Sequence, residues 1–317
     1  MYTIGVDLGG TNIAAGIVND NYEIIKKGSV STGAERDAQA IVDDMAALCA
    51  QLIADAGLTK EDIEYIGIAT PGTADSDTGI VKYANNLPFY EFPIADLLAK
   101  ATGIKKVLIE NDANAAAKGE AVCGAAKGHA NSVMITLGTG VGGGIIIDNK
   151  VYSGFNHAGA ELGHIVIQKD GAQCSCGRKG CWEAYSSATA LIRMTRQKIA
   201  EVGKATKMWD MIEGNLEKVS GKTAFQAARD GDAAGQAVVD EYLDYLASGL
   251  ASIINIFQPE ILSIGGGISN EKDNLLIPVK ERIKKETYTR ENVKATEIRI
   301  ATLRNDAGII GAAVLGR

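Results

Sequence analysis

The 317-residue sequence has no cluster of lysine and arginine, and its formal net charge is −7. Binding to a nucleic-acid backbone depends on such clusters, so nucleic acid is excluded as the main partner. The sequence also lacks any apolar run near the roughly 18 residues that a membrane-spanning helix needs. Residues 2–7 have a strand pattern rather than that of a signal peptide. We therefore expect a cytoplasmic protein that does not bind membranes.

Two common nucleotide-binding motifs are missing as well. The chain contains no GxxxxGK[ST] sequence, which excludes a Walker A loop. The glycine-rich segment 138–144 is followed by a strand pattern, whereas a dinucleotide fingerprint needs a helix after its glycines. Rossmann-type binding of NAD is therefore disfavoured.

Cysteine is scarce, yet three of the five cysteines lie close together in the sequence. Cys174, Cys176 and Cys181 follow His164 by ten residues or more. Three thiols and an imidazole predict a closed tetrahedral zinc site, which is structural because no position is left for water. The other two cysteines fall in apolar helical patterns, where a reduced buried thiol is the usual explanation, so we expect no disulfide.

Two carboxylates flank this predicted zinc site. Glu161 precedes His164 by three residues, and Glu183 follows Cys181 by two. Two carboxylates whose positions are fixed by the same zinc site suit the binding of a polyhydroxylated molecule. The second ring nitrogen of His164 could bind a hydroxyl of that molecule. A zinc knuckle that only stabilises a loop is the simpler alternative.

Alternating helical and strand patterns predict an α/β fold with a mainly parallel core sheet. The length favours two lobes, because single cores stop growing at roughly 250–300 residues. The predicted strands are 3–8, 13–18, 63–69, 106–110, 132–137, 145–147, 261–264 and 298–301. The predicted helices are 38–56, 94–102, 113–124, 182–199, 223–229, 233–257, 280–285 and 307–315.

Glycine-rich turns follow three of the predicted strands. In the first, the backbone N–H groups of 9–11 could approach a phosphate, with Asp7 holding Mg²⁺ directly or through water. An ordinary tight hairpin is the alternative. The turn at 138–144 repeats this layout and predicts two related lobes around one nucleotide. The third, at 265–267, is placed to receive an adenosine.

The segment Glu110-Asn111-Asp112 lies at the end of a predicted strand and the start of a predicted helix. Ligands of open α/β sheets bind at that edge, where Asp112 could accept a proton from a substrate hydroxyl. Asp112 could equally be the N-cap of the helix. Position alone leaves both roles open.

The order of these motifs resembles that of the ROK family (repressor, open reading frame, kinase), over nearly the whole chain. The resemblance rests on DLGGT at 7–11, END at 110–112, GTGVGGG at 138–144, ExGH at 161–164 and CxCGxxGCxE at 174–183. It implies an actin-like ATPase (ribonuclease H-like) fold of two lobes, with sugar and ATP in the cleft. We expect residues 1–112, joined by 305–317, to form one lobe, and residues 113–304 the other, which contains the zinc site.

Within the family the chain is similar to bacterial ATP-dependent glucokinases, which implies transfer of a phosphoryl group to the 6-hydroxyl of glucose with Asp112 as general base. The implied sugar-binding residues are Gly72, Thr73, Asn85 (or equally Asn86), Asn111, Asp112, Glu161, His164 and Glu183. The residues implied to bind Mg²⁺ and ATP are Asp7, Gly9, Gly10, Thr11, Asn12, Gly138, Thr139, Gly140, Gly142, Gly265, Gly266 and Gly267. The implied ligands of Zn²⁺ are His164, Cys174, Cys176 and Cys181. Asn12 replaces the lysine of many members, and Phe89 replaces the tryptophan of many glucokinases.

Three alternatives compete with this interpretation. The first is a family kinase for fructose, N-acetylmannosamine or N-acetylglucosamine. The second is a sugar-sensing repressor, which the six residues before Asp7 disfavour because they leave no room for a DNA-binding helix-turn-helix. The third is a non-sugar ATPase of the same fold, which has no need of the zinc segment. The resemblance further implies a homodimer or homotetramer.

Overall fold

The computed structural model of the chain describes residues 1–289 and 292–317. Its strands are β1 (Tyr2–Leu8), β2 (Asn12–Val18), β3 (Ile24–Ser31), β4 (Ile63–Thr70), β5 (Thr73–Asp75), β6 (Ile80–Tyr83), β7 (Tyr90–Phe92), β8 (Val107–Asn111), β9 (Ser132–Leu137), β10 (Val141–Ile147), β11 (Lys150–Val151), β12 (Ile261–Gly265) and β13 (Glu297–Ile300). Its α-helices are α1 (Ala38–Asp55), α2 (Ile94–Thr102), α3 (Asp112–Val122), α4 (Glu183–Ser186), α5 (Ala188–Val202), α6 (Lys207–Met211), α7 (Thr223–Arg229), α8 (Ala233–Phe257), α9 (Asp273–Glu286) and α10 (Ala307–Ala313). The predicted α/β class is confirmed.

The chain forms two compact units. The first unit comprises residues 1–134, 144–160 and 302–317, and the second comprises residues 135–143 and 161–301. The segments 113–134 and 144–160 thus belong to the first unit by their contacts.

The first unit is built on a five-stranded sheet in the order β3-β2-β1-β4-β8. β1 runs antiparallel to β2 and parallel to β4, and β4 runs parallel to β8. In this register Asp7 pairs with Ala69, and Thr70 pairs with Asn111. The carboxyl ends of β1, β4 and β8 therefore meet at one edge of the sheet, which gathers the polar residues that follow them.

Helix α1 covers this sheet with a stripe of apolar side chains. Its first turn is capped by the Asp37 side chain, which accepts a hydrogen bond from the Gln39 backbone N–H. The buried residues recur at helical spacing, as expected for a helix with one apolar face. They are Ile41, Val42, Met45, Leu48, Cys49 and Leu52.

Helix α10 packs against the same sheet through glycines. A β-carbon on Gly5 would lie 1.8 Å from the Ile309 carbonyl oxygen, and one on Gly67 would lie 1.9 Å from the Ala312 carbonyl oxygen. Because no side chain fits at either position, the backbone of α10 lies directly on β1 and β4. The C-terminal segment is therefore part of the core of the first unit.

A second five-stranded sheet has the order β11-β10-β9-β12-β13, in which β12 and β13 run parallel. In each of the two sheets, two consecutive strands joined by a glycine turn lie next to a later strand. This similarity agrees with the duplicated layout expected from the sequence.

Helix α8 is the longest element of the second unit and buries one face along its whole length. Gly249 in this helix leaves room for Trp182, since a β-carbon there would lie 2.1 Å from the indole ring. The indole Nε1–H donates to the Tyr245 carbonyl at 3.1 Å. Trp182 is fully buried and anchors the end of the cysteine-rich segment.

Most predicted elements are confirmed within one to three residues, but two predictions were wrong. Residues 182–199 do not form one helix, because Ser187 is extended and caps α5 through its side chain. The glycine run 138–144 is not all turn, because β10 begins at Val141. No helix among residues 1–289 and 292–317 combines the length and apolar character required to cross a membrane.

Candidate functional site

The first glycine turn joins β1 to β2 and is held by backbone hydrogen bonds. The Gly9 N–H donates to the Asn12 carbonyl at 2.9 Å. Thr32 braces the turn from the side, with its hydroxyl donating to the Gly9 carbonyl at 2.7 Å and its N–H to the Thr11 carbonyl at 2.9 Å. The turn is thus fixed in shape before any phosphate binds, as an anion-binding loop should be.

Asp7 lies at the end of β1, directly before this turn. Burial, followed by the nearby Asp112 carboxylate, raises the pKa of Asp7 to about 6. Gly308 at the start of α10 allows this arrangement, because a β-carbon there would lie 2.3 Å from an Asp7 carboxylate oxygen. Two carboxylates brought together in this way suit a divalent cation and a reacting hydroxyl.

Asn111, rather than Asp112, is the N-cap of α3. The Asn111 side-chain oxygen accepts hydrogen bonds from the N–H groups of Ala113 and Asn114. Asp112 is the first helical residue, and its carboxylate accepts from the Ala113 N–H at 2.8 Å. Solvent reaches Asp112, but the surrounding protein removes enough water to raise its pKa. The cap therefore does not require Asp112.

Glu110 is a buried carboxylate behind this turn. It accepts hydrogen bonds from the Asn111 N–H at 2.9 Å and from the Asn114 side-chain amide at 3.1 Å. Burial, the largest influence, raises its pKa. Glu110 thus links the end of β8 to the first turn of α3.

The predicted sugar loops lie beside the same edge of the first sheet. The Asn111 side-chain amide donates to the Gly72 carbonyl at 3.1 Å. Gly72 has a φ of +88°, and Thr73 begins β5. Asn85 and Asn86 are both exposed in the loop before β7, so the choice between them stays open.

The second glycine turn, Gly138-Thr139-Gly140, joins β9 to β10. The Gly138 N–H donates to the Gly140 carbonyl at 3.0 Å, and the Thr189 hydroxyl donates to the Thr139 carbonyl at 2.8 Å. Gly142, which the sequence places in the turn, lies in β10. Like the first turn, this one is fixed by its neighbours rather than by a ligand.

The third glycine segment follows β12 and lies against the second turn. Gly265 ends the strand, and Gly267 begins a short 3₁₀ turn to Glu271. Gly266 has a φ of +81°, and a β-carbon there would lie 2.5 Å from the Leu137 carbonyl oxygen. Only glycine allows this close approach of β12 to the end of β9.

The predicted zinc ligands lie together in the second unit. Their ligand atoms are all within 4.8 Å of one another, in a group formed by His164, Cys174, Cys176 and Cys181. The His164 Nδ1 lies 3.7 Å from the Cys174 Sγ, and the Cys176 and Cys181 Sγ atoms are also 3.7 Å apart.

These separations are those of a zinc ligand set. Bonds of about 2.3 Å to sulfur and about 2.1 Å to nitrogen at a tetrahedral ion require about 3.8 Å between sulfurs and about 3.6 Å between sulfur and nitrogen. A disulfide would bring two sulfurs to about 2.05 Å. The donor set therefore fits a four-coordinate zinc with no position left for water.

Backbone hydrogen bonds hold the cysteine segment in shape. The Cys174 N–H donates to the Arg178 carbonyl at 2.8 Å, and the Trp182 N–H donates to the Ile165 carbonyl at 2.8 Å. Gly180 has a φ of +79° and lies directly on the Gln168 carbonyl. Residues 164–168 on one side and the cysteine loop on the other therefore both hold the zinc-ligand segment.

Glu183 is bound on both carboxylate oxygens. One oxygen accepts from the Val141 N–H at 3.0 Å, and the other accepts from the Ser175 hydroxyl at 2.9 Å and lies 3.6 Å from the Cys174 sulfur. Gly140 has no β-carbon, which leaves space for this carboxylate. Glu183 thus connects the cysteine segment to the second glycine turn.

Glu161 immediately precedes a 3₁₀ turn, Leu162–His164, and is exposed. Gly163 in this turn lies against the Val141 carbonyl, and Leu162 fills the space left by Gly143. Because the His164 Nδ1 faces the thiol of Cys174, its Nε2 is the nitrogen that remains for another partner.

Sequence reasoning assigned no role to several residues that shape these sites. Thr32, Glu110 and Gly308 brace the first glycine turn, the start of α3 and the Asp7 carboxylate. For Gly308 a signal was available, because glycine at the second position of a predicted apolar helix is unusual and indicates close packing. Thr32 lies in a loop with no distinguishing pattern.

The whole chain resembles known proteins. A family model described as ROK family matches residues 3–317. A glucokinase from Thermotoga maritima is 39% identical, with 98% of this chain and 95% of the relative covered. A glucokinase from Streptomyces coelicolor is 36% identical, with 99% and 97% covered.

A solved structure agrees with these relatives. The crystal structure of a ROK family glucokinase from Streptomyces griseus, in complex with glucose and AMPPNP, superposes with a TM-score of 0.83. It is 36% identical, and the alignment covers 99% of both chains. The fold is thus the actin-like ATPase fold expected from the motifs. The chain belongs to the ROK family.

Proposed function

We propose that the protein is an ATP-dependent glucokinase, which transfers a phosphoryl group from Mg-ATP to the 6-hydroxyl of glucose. The observation that carries this proposal is the placement of Asp7 and Asp112 at the same edge of the first sheet, beside a preformed glycine turn. Phosphoryl transfer requires charge neutralisation on the phosphates and a carboxylate that aligns the attacking hydroxyl. The names and full-length similarity of the glucokinase relatives support the same activity.

In the proposed reaction Asp112 is the general base. It accepts the proton of the sugar 6-hydroxyl as that oxygen attacks the γ-phosphorus, and the bond between the γ-phosphorus and the bridging oxygen of ADP breaks. Its raised pKa makes it a stronger base than an ordinary aspartate. Asn111, by capping α3, holds Asp112 in place.

The glycine turns are assigned to the nucleotide. Gly9, Gly10, Thr11 and Asn12, and Gly138, Thr139, Gly140 and Gly142, are proposed to bind the phosphates. The N–H groups of Gly9 and Gly138 donate within their own turns and so keep the shape of the two turns. Asp7 would hold Mg²⁺, which neutralises phosphate charge when bound. Gly265, Gly266 and Gly267 are assigned to the adenosine.

The sugar hydroxyls are assigned to two groups of residues. The first group is Gly72, Thr73, Asn85 or Asn86, and Asn111. The second group is Glu161, the His164 Nε2 and Glu183. We assign a structural zinc to the four-residue cysteine and histidine cluster, whose ligand separations support it. The zinc would hold the segments that carry Glu161 and Glu183.

We further propose that the enzyme works in the cytoplasm, where ATP is available, and that glucose 6-phosphate then enters glycolysis. A homodimer or homotetramer is proposed from the family resemblance. Sedimentation equilibrium on the purified protein tests this last point.

A sugar panel tests the activity. Purified protein with Mg-ATP is assayed for ADP release with glucose, fructose, N-acetylmannosamine and N-acetylglucosamine, and without sugar. We expect the largest kcat/KM with glucose and little ATP hydrolysis in its absence. A higher kcat/KM with another hexose would make that hexose the assigned substrate in place of glucose. ATP hydrolysis that is equally fast without sugar would indicate an ATPase that does not act on sugars.

A further inference from the structure

A second group of potential metal ligands lies in the first unit. Asp75 ends β5, Asp77 lies in the turn before β6, and His157 lies in the segment 152–160 after β11. One oxygen or ring-nitrogen atom from each of the three lies within 4.8 Å of the others. The His157 Nε2 is 3.3 Å from an Asp75 oxygen and 3.4 Å from an Asp77 oxygen.

Hydrogen bonding alone does not account well for these contacts. A charge-assisted N–H···O bond is about 2.7–2.9 Å long, and one ring nitrogen carries a single proton that serves only one acceptor well. Ligand atoms about 2.0–2.1 Å from a tetrahedral zinc, by contrast, are about 3.3–3.4 Å from one another. The separations observed at His157 match this second geometry.

The histidine is also oriented as metal-binding histidines are. Its other nitrogen, Nδ1, lies 3.3 Å from the Ser76 hydroxyl. Ligand histidines usually have the second ring nitrogen engaged by a polar group, which fixes the ring and its tautomer. An imidazole so held between two carboxylates differs from a plain acidic cluster.

We propose that Asp75, Asp77 and His157 form a second metal site, which takes a divalent transition metal such as Zn²⁺. One imidazole and two carboxylates form a donor set that suits such ions, and they leave a position for water. Lys82 does not occupy the site, because its ammonium lies 3.5 Å from the opposite oxygen of Asp75 and also pairs with Glu91 at 3.2 Å.

A metal at this site would tie together two segments that lie far apart in the sequence. The turn 76–79 would be joined to residues 152–160, where His157 and Ala160 both have left-handed φ angles of +59° and +65°. Phe155 in that segment is 99% exposed. Chymotrypsin should therefore cut after Phe155, and bound metal should slow that cut.

Zinc counting in two variants tests the proposal. Wild-type protein is dialysed to equilibrium against buffered Zn²⁺ and its zinc is measured by plasma mass spectrometry. His157→Asn suits the left-handed backbone at this position. Asp75→Asn keeps an oxygen that can accept from the N–H groups of Asp77 and Thr78. We expect each variant to hold one zinc ion per chain fewer than wild type.

The control is His129→Ala, which removes one of the other two histidines of the chain and should keep the wild-type zinc content. Co²⁺ provides a second readout, because the cysteine cluster gives thiolate charge-transfer absorption and the Asp75 site does not. The experiment measures metal content rather than activity, so its outcome is independent of the proposed kinase function.

In wild type, Zn²⁺ should slow chymotrypsin cleavage after Phe155, and His157→Asn should abolish that protection. The proposal is overturned if wild type and His157→Asn bind the same amount of zinc. It is equally overturned if Zn²⁺ gives wild type no protection beyond that of the variant, since the three residues would then form only an ion-pair cluster.

Discussion

Asp112→Asn should lower kcat by about 10²–10⁴ while glucose binding persists, because the amide keeps the shape of the side chain but cannot accept the hydroxyl proton. Steady-state kinetics give kcat, and calorimetric titration with glucose gives binding. Asp96→Asn is a matched control, since Asp96 also lies in the first turn of a helix of the first unit. A variant that retains more than a tenth of the wild-type kcat would contradict the general-base role.

Asp7→Asn should stabilise the protein when Mg²⁺ and nucleotide are absent. The pKa of Asp7 rises from 3.8 to about 6 on folding, so its contribution to stability is fully present below pH 3.8 and is lost as the pH rises to about 6. Asparagine does not ionise, and above pH 6 the variant should be more stable by up to about 3 kcal/mol.

Urea denaturation of the metal-free proteins between pH 4 and pH 8 checks this. The difference in free energy of unfolding should be small at pH 4 and grow until about pH 6. Kinase activity of the variant should be strongly reduced, because Asp7 is proposed to hold Mg²⁺. If the free energy of unfolding had the same pH dependence in both proteins, the pKa of Asp7 would not be raised in the folded state.

The sequence could not assign the two roles at the start of α3. Both Asn111 and Asp112 are good capping residues, and only the backbone geometry shows that Asn111 takes the cap. The contact of His157 with Asp75 could not be predicted either, since the two residues are 82 positions apart and no sequence motif joins them. The zinc ligands were predicted because their spacing along the chain is itself the signal.

At the scale of elements, the packing of α10 on the first sheet depends on glycines rather than on large side chains. Gly5→Ala should destabilise the protein by about 3 kcal/mol or more, because its β-carbon would overlap the Ile309 carbonyl and the backbone of β1 or α10 must shift. Thermal and urea unfolding measure the loss.

Gly221→Ala is the matched control for this substitution. Its β-carbon would meet only the end of the Ile268 side chain at 3.1 Å, which can rotate away. We expect a change of less than about 1 kcal/mol there. If both variants lost equal stability, the effect of Gly5→Ala would be that of any glycine replacement and not of the close contact with α10.

Most elements with regular patterns were predictable, although the eight-residue strand β3 was missed. Elements set by local capping or close packing were not predictable. The repeated apolar spacing of residues 233–257 predicts α8 with the bounds that the structure shows. The break at Ser187 was missed, because apolar spacing continues across it and only the side-chain cap reveals it. The short strands β5, β6 and β7 were missed because a strand of three or four residues leaves little alternation to detect.

At the scale of the whole molecule, the zinc cluster is proposed to act more on sugar binding than on nucleotide binding, since its contact with the second glycine turn runs through Glu183 and the Val141 N–H. It is continuous with Glu161 through the turn at Leu162–His164, and with Glu183 through Trp182. The first glycine turn, by contrast, is braced by Thr32 within the first unit. Loss of zinc should therefore reduce the stabilisation of the protein by glucose more than its stabilisation by nucleotide.

Cys176→Ser tests this separation, since Cys176 is the exposed ligand and serine is a poor one for zinc. In wild type, glucose and ADP should each raise Tm by mass action. In the variant the shift with glucose should be largely lost, while that with Mg-ADP remains. Cys123→Ser, outside the cluster and with its sulfur donating to the Gly119 carbonyl at 3.5 Å, should retain both shifts. If Cys176→Ser lost both shifts equally, zinc would support the fold as a whole, and the link between the metal and the sugar would fail.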